Sequence, residues 1–211
     1  MDKSLKRLLD RAIAVIAVVL LAASASGLAA AAPATGPRAH IEGFHNTLLS
    51  VMKDARALGV DGRFDRLEPE VAQRFDVSLM IALATGKHWR AASPPDRKRL
   101  EDAFRRFSAA NYASQFSDFS GESFETVAVQ PGPRQTQLVQ TRLNRPDDTP
   151  VAITYVTRAA GGSWQIVDVL IDHGISELAI RRSEYRSVLE SGGVDGLVRV
   201  LETKTTQLLA K

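Results

Sequence analysis

The sequence predicts an α+β fold in which helices precede and follow one curved, four-stranded antiparallel sheet. Three observations predict it. Apolar residues recur at helical spacing as far as about Phe116, and β-branched residues alternate with polar ones between Glu122 and His173. The breaks within that second region are short and made of turn residues, which implies hairpins rather than crossovers.

In chain order, Ile41, Phe44, Leu48, Val51, Met52, Ala55 and Leu58 form one stripe of an amphipathic helix from His40 to Leu58, with Gly59 and Gly62 as its stop. A shorter helix is expected over 66–75, with Pro69 near its first turn. Residues 77–84, VSLMIALA, are apolar throughout; Leu, Met and Ala favour helix, and Gly86 ends it. Ser93-Pro94-Pro95-Asp96 is a strong helix start, combining an N-cap, proline in the first turn and an acid at the positive end. That helix should reach Phe116 and bury Leu100, Ala103, Phe104, Phe107 and Ala110.

Strands are expected over 122–130, 134–144, 150–159 and 163–172. They are separated by Pro131-Gly132-Pro133, by Arg145-Pro146-Asp147-Asp148 and by Ala160-Gly161-Gly162. Helices over 176–190 and 194–209 close the chain around Ser191-Gly192-Gly193.

The N-terminus has a different logic. Lys3, Lys6, Arg7 and Arg11 precede an apolar run from Ala12 to Ala23 and then a small-residue stretch, the order of a secretory signal peptide. Twelve apolar residues rise only about 18 Å as a helix, short of a roughly 30 Å hydrocarbon core. We therefore expect residues 1–32 to be a cleaved signal peptide, 33–39 a linker, and 40–211 one domain exported to the periplasm. The 211-residue chain has a net charge of +3. Removing residues 1–32 takes away four basic and two acidic side chains and leaves +1. A domain so near neutrality gives no electrostatic reason to bind nucleic acid. The absence of cysteine excludes a disulfide scaffold, Cys-type metal sites and thiol catalysis.

Catalytic signatures are scarce. His40, His45, His88 and His173 lack metal-ligand spacing, and each is expected at the surface; no Walker loop, GxGxxG or GxSxG occurs, and no metal or cofactor is expected. Asp168 stands out within Ile166-Val167-Asp168-Val169-Leu170, and on simple alternation it shares a face with Trp164, Ile166 and Leu170. With Tyr155 or His173 it could make an acid/base pair for an isomerase or dehydratase. The plainer expectation is a pairing with Arg142 or Arg158, or a solvated sheet edge. A third possibility is an adaptor with a filled core and an exposed apolar face on helix 194–209.

Several segments taken together resemble the MlaC/toluene-tolerance family. They are Phe75-Asp76-Val77-Ser78-Leu79-Met80, Gly86-Lys87-His88-Trp89-Arg90, the Ser93-Pro94-Pro95 helix with Asn111-Tyr112-Ala113, Trp164-Gln165-Ile166-Val167-Asp168-Val169, and Gly192-Gly193-Val194-Asp195-Gly196-Leu197. Ile175-Ser176-Glu177-Leu178-Ala179 and Arg181-Arg182-Ser183-Glu184-Tyr185 are closer to its hopanoid-associated HpnM branch. Ala152, Thr154 and the His173-Gly174 turn depart from many relatives.

The resemblance implies an NTF2-like fold with a deep apolar pocket for lipid tails. It also implies a non-enzymatic role, ferrying phospholipid or hopanoid between the inner and outer membranes. The implied partners are an inner-membrane lipid transporter of ABC or RND type and an outer-membrane lipoprotein complex. Carrying a 16-carbon chain through water requires roughly 12 kcal/mol of compensating apolar burial, so a continuous lining is needed. The residues expected to supply it are Leu79, Met80, Leu83, Phe107, Tyr112, Val139, Val151, Ile153, Tyr155 and Ile166, with Tyr112 at the boundary between tails and headgroup.

Overall fold

A computed structural model describes residues 36–146, 148–172 and 174–210. The expected signal peptide and the first part of the linker lie outside them, as does His173. The linker's last residues are already helical: Pro37, which needs no intrahelical donor, opens α1, Pro37–Lys53. This helix buries Ile41, Phe44, Leu48, Val51 and Met52, the apolar stripe of the sequence.

Helix α1 ends at Asp54, earlier than expected, and the chain re-enters helix as α2, Ala55–Arg74, running through both glycines. At Gly59 the backbone adopts φ 61° and ψ −176°, a combination almost confined to glycine, so helical geometry is interrupted there as expected and resumes directly beyond it, through Gly62. Pro69 accordingly sits inside α2 and not in a first turn. Buried Arg63 donates from Nε to the Ala113 carbonyl (2.8 Å) and from Nη1 to that of Ala55 (3.1 Å), tying α2 to α5, Pro94–Gln115.

Asp76 joins helix to sheet. Its side chain accepts from the Leu79 amide (3.0 Å) and caps α3, Val77–Thr85, while its own amide donates to the Ile166 carbonyl (2.9 Å). The same carboxylate pairs with Arg158. A five-residue helix, α4 (Lys87–Ala91), follows Gly86; the sequence reading missed it because so short a segment shows no periodicity. Helix α5 begins as expected, with Ser93 Oγ accepting from the Asp96 amide, and buries Leu100, Ala103, Phe104, Phe107 and Ala110.

The sheet is an antiparallel meander of β1 (Ser123–Pro131), β2 (Gln137–Arg145), β3 (Asp148–Ala160), β4 (Ser163–Ile171) and β5 (Ile175–Ser176). It has five strands where four were expected. The fifth is only two residues, pairing Ile175 with Ile171 and Ser176 with Leu170, too short to alternate. A 3₁₀ turn, Pro133–Gln135, delays β2.

Register sets the face that matters. Val139 lies opposite Tyr155, Leu143 opposite Val151, and Tyr155 opposite Val169, so these side chains share one side of the sheet. A shift between Val156 and Thr157 places Asp168 opposite Val156 and Ile166 opposite Thr157. Val167 is the extra residue, so Asp168 and Ile166 no longer follow simple alternation.

The last element, α6 (Glu177–Leu209), consists of two helical stretches that meet where the break was expected: at Gly193 the backbone leaves helical geometry, with φ 59° and ψ −156°. Beyond it Leu197, Val198 and Leu201 are buried and α6 packs on α5, so the apolar face of helix 194–209 is covered rather than exposed. Among the described residues no helix is long and apolar enough to cross a membrane.

Candidate functional site

Behind the helix-facing side of the sheet lies a cavity of about 290 Å³, walled by the ends of α2 and α3, by α5, by β2 to β4 and by the first turns of α6. Buried Val71, Phe75, Met80, Phe104, Phe107, Ile153, Tyr155 and Val169 form its inner part. Half-exposed Phe116, Leu143, Val151, Ile171 and Leu178 and exposed Gln115 mark its opening. Helix α5 contributes Phe104, Phe107, Ser108, Asn111, Tyr112 and Gln115, one helical face that turns from aromatic at depth to polar at the mouth. Glu177 and Arg181 are the charged residues of the lining.

Of the ten side chains expected to line a pocket, six come together here: Met80, Phe107, Tyr112, Val151, Ile153 and Tyr155. Four do not. Val139 and Ile166 are fully buried in the packed core, Ile166 behind a bridge to Phe75. Leu79 and Leu83 lie on the other side of α3, and Leu83 is 47% exposed. The ten omit other apolar parts of the lining, among them Val71, Phe75, Phe104, Phe116, Val169 and Ile171, along with Ser108, Asn111, Gln115, Glu177 and Arg181.

Aromatic packing holds the inner wall in shape. Tyr112 meets Phe44 edge-on (ring centroids 5.3 Å apart) and stacks towards Phe116 (5.9 Å). Tyr155 Oη lies 3.1 Å from His45 Nε2, and the His45 ring stacks on Phe124 at 3.9 Å. His45 is therefore core and not surface, and burial pushes its pKa down to about 3. Burial likewise raises the Tyr155 hydroxyl well above the usual phenol range. His40 also departs from the expected surface position: half-buried, its Nε2 lies 3.2 Å from the Arg74 carbonyl, and desolvation lowers its pKa. His88 is partly covered.

Asp168 has a different task from the one expected. Its Oδ1 accepts from the amides of Val169 (2.8 Å) and Leu178 (3.2 Å), and its Oδ2 accepts from Ser176 Oγ (2.6 Å). Arg158, an expected partner, pairs with Asp76 instead, and Arg142 pairs with Glu125. Because Asp168 faces Val156 across the ladder, it points to the opposite side of the sheet from Tyr155, and the two make no acid/base pair. Asp168 fastens the start of α6 to β4. Asp168→Ala is expected to cost about 1–3 kcal/mol in chemical denaturation, since it orphans three donors. An unchanged midpoint would show that the cap contributes nothing.

Among the described residues no group of three or more His, Asp or Glu is placed to hold a metal ion. The geometry defines a class: a small α+β domain with an apolar cavity behind one sheet face, opening past apolar side chains with polar and charged groups along one flank. Within that class the chain belongs to the MlaC protein family, whose model matches residues 42–203. Among solved structures it resembles a phospholipid-binding protein from Ralstonia solanacearum determined in complex with a phospholipid. The two are 21% identical with a TM-score of 0.72, over 84% of this chain and 100% of that one.

Proposed function

We propose that this chain is a periplasmic phospholipid carrier and not an enzyme, taking acyl tails into the cavity and leaving the headgroup at the rim. The observation that carries this reading is the apolar cavity itself, present in a fold shared with a protein that holds a phospholipid. Its volume of about 290 Å³ is at the small end of ligand pockets and less than two long acyl chains occupy, so taking in both tails requires the walls to move apart. Tyr112, with an apolar ring on the cavity and Glu177 close enough to reinforce the burial-raised pKa of its hydroxyl, stands at the tail–headgroup boundary. The residues that might have made an acid/base pair are engaged structurally, Asp168 as a cap and Tyr155 with His45.

Family membership and the leader-like N-terminus support the rest of the proposal: export, collection from one membrane and delivery to the other, with an inner-membrane transporter and an outer-membrane lipoprotein complex as partners. A second cargo is favoured by one observation. The stretch that resembles the hopanoid-associated HpnM branch supplies Glu177, Leu178 and Arg181 to the cavity.

The test is to purify the protein from the periplasm, denature it, and identify what is extracted by mass spectrometry. Stoichiometric phospholipid is the expected result, and hopanoid would transfer the role to the other cargo. An extract still empty after incubation with phospholipid vesicles would overturn carriage.

A further inference from the structure

The tails alone would be served by a wholly apolar wall, yet one flank of this cavity is polar, and its groups stand in a definite order. Where α6 runs against α5, Arg181 lies over the Phe107 ring at 5.1 Å, and Glu177, one turn earlier on α6, is near enough for its charge to be felt at Tyr112. Asn111 and Gln115 continue that flank outward to solvent.

Arg181 is held by two carboxylates, with Nη1 3.0 Å from Glu184 and Nη2 3.7 Å from Glu177. Only 18% of its side chain is exposed, against 35% for Glu177, and Glu184 does not line the cavity. The amides at the start of α6 offer no competing anion site, because Asp168 and Ser176 already accept from Leu178 and Ala179.

We propose that this flank reads the headgroup and prefers a zwitterionic glycerophospholipid, whose phosphate meets Arg181 and whose ammonium meets Glu177. The inference rests on the phospholipid reading above and specifies its cargo. A planar guanidinium takes a phosphate in two parallel hydrogen bonds and exchanges the longer Glu177 contact for it. The Glu177 carboxylate so released lies further out, where the amine of a phosphoethanolamine headgroup extends beyond its phosphate. Every charge keeps a partner.

An anionic headgroup breaks that balance. The phosphate of phosphatidylglycerol still reaches Arg181, but its neutral glycerol leaves Glu177 unpaired beside a second net negative charge in a half-buried site. A hopanoid without phosphate makes no use of Arg181.

The experiment loads delipidated protein from vesicles of equimolar phosphatidylethanolamine and phosphatidylglycerol, then measures total bound phosphate and the ratio of the two lipids by mass spectrometry. Phosphatidylethanolamine should be enriched about fivefold in the wild-type protein, the worth of one partly exposed ion pair. Glu177→Gln should return the ratio to that of the vesicles. Arg181→Gln should also lose the preference; if removing the stack on Phe107 prevents folding, Glu177→Gln alone decides. A wild-type ratio equal to the vesicle ratio, or enrichment retained in Glu177→Gln, would overturn the proposal and leave carriage standing. No bound phospholipid in the wild-type protein would overturn both.

Discussion

Val151→Glu should lower bound lipid about tenfold or more while leaving the thermal midpoint within a few degrees of wild type. The split follows from position. Val151 stands at the opening, opposite Leu143 on β2, and is only half-buried, so a glutamate there can reach water in the empty protein. An acyl chain in the cavity would press against that carboxylate and strip its hydration. Lipid per protein, measured after vesicle loading beside a melting curve, checks both halves. Full lipid occupancy would mean that the tails lie elsewhere. The same substitution at Met80, buried among aromatic rings, would compromise folding and say nothing about cargo.

Acid is expected to weaken the fold well before the carboxylates titrate, because of His45. Its folded pKa is held at about 3 by burial, below the ordinary 6.5 that it regains on unfolding. Protons therefore bind the unfolded chain first as pH falls. The His45 contribution to stability is complete above about pH 6.5 and is lost progressively towards pH 3. At pH 5 the loss is about 2 kcal/mol. Half-buried His40, also lowered by desolvation, adds a smaller term of the same sign. Denaturant midpoints at pH 7 and pH 5 for the wild-type protein and His45→Gln check this. The variant should be less stable at pH 7, since it loses the Tyr155 contact, and its midpoint should move less between the two pH values. Equal shifts in both proteins would show that His45 takes up its proton without penalty.

Much of this cavity could be read before the structure. Alternation placed Val151, Ile153 and Tyr155 on one face because β3 is regular there, and helical spacing put Phe107 in the buried stripe of α5. The misses have separate causes. Val77–Thr85 is apolar around nearly its whole circumference, so nothing in its pattern distinguishes Met80, at the cavity, from Leu79 and Leu83 outside it. The extra residue in β4 defeats alternation at Ile166 and Asp168. Ser108, Asn111 and Gln115 look like the solvent side of a helix, and only the sheet opposite turns that side inward. His45 sits within an apolar stripe between Phe44 and Leu48, which was the available sign that it is core.

Helix α6, kinked at Gly193, carries two kinds of inheritance. Before the kink it presents Glu177, Leu178 and Arg181 to whatever occupies the cavity; after it, Leu197, Val198 and Leu201 seal against α5 and face no ligand. Substitutions at Glu177, Leu178 and Arg181 change what the cavity meets, whereas those at Leu197, Val198 and Leu201, like those at buried Tyr185 and Leu189 before the kink, change whether the fold survives. A descendant chain could therefore alter its cavity by rewriting a few residues in the first two turns of α6.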